Sequence, residues 1–249
     1  HSIQILSPTL GGNELKYLTE CITSNWISSQ GKFVTEFENN FNYLHKGYQS
    51  LAVSSGTTAL HLALATLGIT SGDEVIVPNI TFAATINAVL YCNATPVICE
   101  IDPKTWCIDI DEIKNLINTK TKAIIPVHLY GQPCNMQEIN NIAKINNLFV
   151  IEDCAEALGS SINGKPIGTF GDSSIFSFFG NKTITTGEGG MVLFKDQSLY
   201  EKAKILRDHG MSRTKKYWHD LVGFNYRMTN MQAAVGVAQF ERLNYILTK

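Results

Sequence analysis

The 249-residue chain lacks the features that would place it in a membrane or on a nucleic acid. No hydrophobic run reaches transmembrane length, and the N-terminus has no signal-peptide pattern. Charge is sparse: 20 basic and 22 acidic residues leave a net charge of −2, and no dense basic block is present. Binding to nucleic acid or to an anionic membrane therefore has no electrostatic footing. The six cysteines, at positions 21, 92, 99, 107, 134 and 154, form no CxxC pair, and several lie in apolar runs. That argues against a secreted disulfide framework and for reduced, partly buried thiols in a cytoplasmic protein. Internal repeats, low-complexity tracts and an obvious interdomain linker are missing as well. The chain starts at His1 without an initiator Met, which fits an internal start or an added residue.

What is present is material for a large core, since 44% of the residues are hydrophobic. From about residue 48, short β-rich runs alternate with helical patterns. The runs predict strands at Ser50–Ser54, Glu74–Pro78, Thr95–Glu100, Lys122–Val127, Leu148–Glu152, Ser174–Phe178 and Met191–Phe194, with helices such as Thr57–Leu67 and Asn135–Asn147 between them. Apolar strands separated by helices imply an α/β fold, a mostly parallel mixed sheet covered on both faces. Before it, Leu15, Leu18 and Ile22, then Phe33, Phe37, Phe41 and Leu44, recur at helical spacing and predict two amphipathic helices joined by SNWISSQGK. Residues Met231 to Leu243 read as a further helix.

Five stretches carry candidate chemistry. In SFFGNKTITTGEGGM (177–191) an apolar aromatic run leads into Lys182 and then a glycine-rich turn. An amine held at the end of a buried strand can shed solvation and act as a nucleophile toward an aldehyde. SSGTTALHLAL (54–64) follows a strand and opens a helix. Gly56 permits close backbone approach, and Thr57 and Thr58 set hydroxyls beside helix N-terminal amides, which suits a phosphate. An ordinary N-cap explains Ser55 and Thr57 equally well. His61 reads as packing. VIEDCAEALG (150–159) ends a strand in carboxylates, and Asp153 falls where parallel sheets bind ligands. It can hold a pyridine nitrogen protonated, cap a helix, or belong to a carboxylate pair for hydrolysis or metal binding; no His-rich ligand set accompanies it. Phe82, just after a strand ending at Pro78, can stack on a flat ring or fill the core. In GFNYRMTNMQAAVG (223–236), Asn225 and Arg227 can contact an anion or merely cap and solvate a turn.

Taken in order, these segments, with SNWISSQGKFVTEFE, PNITFAATINAV and PVHLYGQPCNM, resemble the DegT/DnrJ/EryC1/StrS family of pyridoxal-phosphate (PLP) dependent sugar aminotransferases. The likeness runs from Ile5 to the end of the chain. It implies the large domain of an aspartate-aminotransferase-like (fold type I) enzyme. Residues 48–249 would bind PLP, residues 1–47 would form a helical segment packed on that domain, and the family's small C-terminal domain would be absent from this chain. The resemblance assigns Lys182 to covalent attachment of the cofactor and to proton transfer. Asp153 would pair with the ring nitrogen, Phe82 would stack on the ring, and Glu156 would lie near the phenolic oxygen, where many relatives have Gln or His. Gly56, Thr57 and Ser177 would hold the phosphate. Asn225 matches an asparagine that reaches the phosphate from a neighbouring subunit, which implies a homodimer with shared active sites. The loop from Trp26 to Ser29 would line the same cleft, and His128 receives no role.

The implied reaction moves an amino group from glutamate to a nucleotide-linked 4-keto-6-deoxy sugar, with conversion of GDP-4-keto-6-deoxymannose to GDP-perosamine favoured over UDP- or dTDP-linked acceptors. A dehydratase branch typically replaces the lysine with histidine, so Lys182 argues against it. Desulfurase chemistry needs a mobile reactive cysteine, which nothing marks here. A non-catalytic scaffold relative would not be expected to keep Lys182, Asp153 and the phosphate segment together.

Overall fold

A computed structural model describes residues 7–249. His1, the start of the resemblance at Ile5 and the first six positions of the N-terminal segment lie outside the described residues. Helix α1 (Glu14–Thr23) and helix α2 (Lys32–Leu44) form where the apolar spacing predicts them, joined by the 24–31 loop. Then follow β1 (Gln49–Val53), α3 (Gly56–Leu67), β2 (Glu74–Pro78), α4 (Ala83–Tyr91), β3 (Thr95–Cys99), α5 (Ile110–Leu116), β4 (Thr121–Ile124), α6 (Met136–Asn146) and β5 (Phe149–Asp153). A small hairpin, β6 (Ser161–Ile162) and β7 (Lys165–Pro166), precedes β8 (Ser173–Ser177) and β9 (Gly190–Phe194). Helices α7 (Gln197–Arg207), α8 (Asn230–Glu241) and α9 (Leu243–Leu247) complete the chain.

Seven strands form one sheet in the order β1-β9-β8-β5-β4-β2-β3. The run from β8 to β3 is parallel, and β9 is antiparallel to both of its neighbours. The sheet is thus mixed and mostly parallel, as the apolar strands imply. Strand alternation sends Leu51, Val53, Val75, Val77, Ile151, Ile175 and Val192 to one face, against α3, α4 and α7. Ala52, Phe176, Met191 and Leu193 point the other way, against α2 and α8, while Ile76, Ile124 and Val150 meet α5 and α6.

Helix starts are chemically marked. Ser55 caps α3 by accepting from Thr58 N, and Thr58 Oγ1 in turn accepts from the Ser55 amide, a reciprocal capping box. Thr229 and Gln232 do the same for α8. The cap reading of the 54–58 segment is therefore satisfied by Ser55, and Thr57 sits inside the helix. Helix α8 lies close on α2 because position 236 is glycine: a Cβ there would come within 2.7 Å of the Phe37 ring. Asn230 holds the N-terminal loop to the same helix, accepting from Phe33 N and donating to the Trp26 carbonyl. All six cysteines are free and buried. Among the described residues no helix is long and apolar enough to cross a membrane.

Candidate active site

The carboxyl ends of β5 and β8, the first turns of α3 and α4, and the loop between β8 and β9 enclose a cavity of about 370 Å³. Seven of the sequence-predicted residues line it: Gly56, Thr57, Phe82, Asp153, Glu156, Ser177 and Lys182. The register explains part of this convergence. Asp153 pairs with Ile175 across β5 and β8, so the last residues of the two strands open on the same edge. Gly56 then closes the corner, since a Cβ at that position would lie 2.8 Å from Ser177 Cβ.

Lys182 does not end a strand, as the apolar run suggests. It stands in the β8–β9 loop, in a turn closed by its own amide donating to the Phe179 carbonyl at 3.0 Å. Its side chain is 18% exposed, and Nζ lies 3.4 Å from Glu156 Oε1. The other Glu156 oxygen accepts from Tyr130 N at 3.1 Å. Tyr130 has left-handed backbone (φ 49°), an uncommon state for a non-glycine residue, which points its amide at the carboxylate. Asp153 is buried and caps no helix; Oδ1 accepts from Ala155 N at 3.1 Å within a turn, and Oδ2 accepts from Thr85 Oγ1 at 2.9 Å. Burial pushes the Asp153 carboxyl up from its ordinary value, although the Ala155 amide, the Thr85 hydroxyl and the charge of Lys182 pull the other way. Phe82 is the N-cap of α4 and is 75% exposed although it lines the cavity, so it is not a core residue.

Three expected participants lie elsewhere. Asn225 is exposed and does not line the cavity of its own chain. Arg227 pairs with Asp208 at 2.8 Å, which assigns its charge to holding a turn. The Trp26–Ser29 loop contributes Trp26 to a separate groove beside Lys32 and Asn230. A larger open groove of about 1130 Å³, between the 102–111 segment and α6, contains none of the predicted residues.

On the opposite face, Glu152 is fully buried and saturated. Its oxygens accept from Gly168 N, Phe170 N, Gly171 N and His128 Nε2. Burial pushes its carboxyl up, but the His128 hydrogen bond and the backbone amides together hold it below its ordinary value. His128, Glu152 and Cys154 bring metal-type donor atoms within 4.8 Å of one another. Yet His128 Nδ1 accepts from Cys134 N at 3.0 Å, which places the ring proton on Nε2, facing Glu152. Both imidazole nitrogens are therefore already used, and the trio is a structural network. Sequence reading missed this network and Thr85; the hint for Thr85 was a hydroxyl three positions after Phe82, on the same helical turn.

Residues 8–249 match the model of the DegT/DnrJ/EryC1/StrS aminotransferase family. The chain belongs to this family. The aminotransferase chain is 51% identical over 247 residues to the GDP-perosamine synthase of Escherichia coli O157:H7, covering 99% of this chain and 68% of that protein. It is 50% identical over 245 residues to the GDP-perosamine synthase of Vibrio cholerae, covering 98% and 67%. Among solved structures, the PLP form of a Streptococcus pneumoniae protein assigned as a sugar aminotransferase superposes with a TM-score of 0.92 at 29% identity, covering 98% of this chain and 68% of that one. The chain thus spans about two thirds of the length of the relatives it matches. PLP is the cofactor of this family, and the donor set fits it. The site offers an amine for the aldehyde, a buried carboxylate for the ring nitrogen, an aromatic face, and, for a phosphate, a helix N-terminus whose glycine lets the Ser177 hydroxyl close in beside it.

Proposed function

We propose that this chain carries the cofactor site of a PLP-dependent aminotransferase that moves the amino group of glutamate onto a nucleotide-linked 4-keto-6-deoxy sugar, GDP-4-keto-6-deoxymannose first among them. The observation that carries it is the meeting of Lys182, Asp153, Glu156, Phe82 and the Gly56–Ser177 corner in one cavity. The GDP-sugar choice rests on the two synthases of about half-identical sequence. Residues 48–249 form the cofactor-binding unit in this reading, with the helices of residues 1–47 packed on it, in the cytoplasm.

PLP, when bound, supplies an electron sink for the carbanion at the carbon that loses or gains nitrogen. The chain's residues do the rest. Lys182 holds the aldehyde end and then, as a free amine, takes the proton from the donor carbon and returns one to the sugar carbon. Asp153 holds the ring nitrogen's proton in place. Glu156 sits 3.4 Å from Lys182 Nζ, where it keeps the amine oriented between transfers. Gly56, Thr57 and Ser177 bind the phosphate, and Phe82 covers one face of the ring. Asn225 reaches the phosphate of a neighbouring copy, so the working unit is a homodimer. What supports this last role is that Asn225 is exposed and away from its own cavity, while Phe82 and Phe179, which line that cavity, stay exposed.

The test is a spectrum of the purified chain with PLP, before and after excess glutamate. A near-visible band that glutamate removes, and that Lys182→Ala lacks, is expected. GDP-, UDP- and dTDP-linked keto sugars then rank the acceptors. A chain that stays colourless with PLP, or a band that survives in Lys182→Ala, sinks the proposal.

A further inference from the structure

Two threonines of the 81–85 segment stand behind Asp153. Thr85 is fully buried, and its Oγ1 lies 2.9 Å from Asp153 Oδ2 and 2.8 Å from Thr81 Oγ1. A hydroxyl has a single proton to give, and an ionised carboxylate can only accept. With Asp153 ionised, the Thr85 proton goes to Asp153, and Thr81 must donate to Thr85. The polarity of the relay is therefore fixed: Thr81 to Thr85 to Asp153. The remaining Asp153 oxygen is taken up by Ala155 N at 3.1 Å.

We infer that Thr85 is a positioning residue for the transamination, holding Asp153 ionised and in the one orientation that leaves its free lone pairs to the ring nitrogen of PLP. The inference rests on the function proposed above. Burial works against a charge at Asp153, and Glu152 and Glu156 are acidic neighbours in sequence; Lys182 is the cationic group that lines the same cavity. That charge acts through space and sets no direction. A hydroxyl at hydrogen-bond distance does both jobs. Threonine is also stiff at its first side-chain torsion, which helps to keep the donor in place. The same helical turn begins with Phe82, whose carbonyl accepts from Thr85 N at 3.1 Å. One rigid element thus addresses the face of the ring and, through Asp153, its nitrogen.

The experiment starts with the cofactor-free chain. The Asp153 carboxyl, ¹³C-labelled and assigned by its loss in Asp153→Asn, is titrated by NMR. Thr85→Val keeps the shape and removes the hydroxyl; the Asp153 midpoint should rise by about one pH unit, as expected for a lost hydrogen bond to a charged acceptor. Thr85→Ser should titrate like the wild type. With PLP added, Thr85→Val should bind it about tenfold more weakly, an effect of the size of that one-unit shift, and Thr85→Ser should recover it. If valine is not tolerated, Thr85→Ala suits the helix and carries the same test. A wild-type midpoint and wild-type PLP affinity in the hydroxyl-free variant overturn the role of Thr85. Failure of the wild-type chain to take up PLP overturns instead the function on which it rests, so the two failures are told apart.

Discussion

Glu152 and Asp153 are consecutive, acidic and buried, yet the alternation of β5 sends them to opposite faces and to different work. Glu152 faces the β7–β8 connection, whose three backbone amides, together with His128, fill its lone pairs. Asp153 faces the cavity with one hydroxyl and one amide, and keeps capacity in reserve. Burial does not distinguish a structural carboxylate from a functional one here. Saturation does: a group with every lone pair occupied has nothing to offer a ligand, while a buried group left partly free is costly unless something binds it.

The sharpest way to break this contrast is to make each side chain an amide. Glu152→Gln sets an NH2 group against N–H donors whichever way it is turned, because both oxygens accept from two donors each. A loss of about 3–5 kcal/mol of unfolding free energy is expected, read by urea denaturation of the cofactor-free chain. Asp153→Asn keeps the Ala155 bond, and its new NH2 can donate to Thr85, whose hydroxyl turns to accept. Stability should stay within about 1 kcal/mol of the wild type, while turnover falls about 100-fold, in the range for removing a preorganised charge. Equal destabilisation by the two variants would erase the distinction.

His45 sharpens the comparison from the saturated side. It is buried against Phe41 and Phe176, on the Glu152 face, and its Nδ1 lies 3.1 Å from the Phe41 carbonyl, which makes that nitrogen the protonated donor. Burial holds its pKa down at about 4, against the opposing pull of that hydrogen bond and of the Glu152 charge. As pH falls below about 6.5, the unfolded chain takes up a proton that the folded chain refuses. Stability is therefore full above pH 6.5 and is lost on the way down to pH 4, by about 3 kcal/mol. His45→Phe should lose less stability than the wild type between pH 7 and pH 4.5, measured by denaturation at each pH. An identical loss in both would place the acid sensitivity elsewhere.

Much of the open side was legible in sequence. Lys182, Asp153 and the 54–58 segment are local patterns, each announced by its own strand, turn or helix start, and the structure brings them to one cavity. The saturated side was not legible, because its bonds join segments far apart in the chain: Glu152 to residues 168–171, His128 to Glu152, and Tyr48 Oη to the Gly171 carbonyl at 2.6 Å. Thr85 was hidden for the same reason, since its partner is contributed by another strand. Strand parity alone would have separated Glu152 from Asp153, but only once the face of β5 that bears the ligand was known. Tyr130 offers no sequence signal at all; its role comes from a backbone amide in an unusual conformation.

The smallest expected effect tests whether the open side is empty by design. Gly56 faces Ser177 across the α3–β8 corner, and an alanine Cβ would sit 2.8 Å from Ser177 Cβ and 3.1 Å from its Oγ. Strand β8 cannot retreat, because it is bonded to β5 on one side and β9 on the other. Gly56→Ala should therefore cost about 1–3 kcal/mol from overpacking. It should also weaken PLP binding, because the added methyl group crowds the serine that would hold the phosphate. Pairing it with Ser177→Gly separates the two causes. The double variant relieves the collision and should regain most of the lost stability, but without the serine hydroxyl it should not regain PLP affinity. Recovery of both would mean that Ser177 only fills space, and the phosphate corner would then have to be assigned to Thr57 and the helix N-terminus alone.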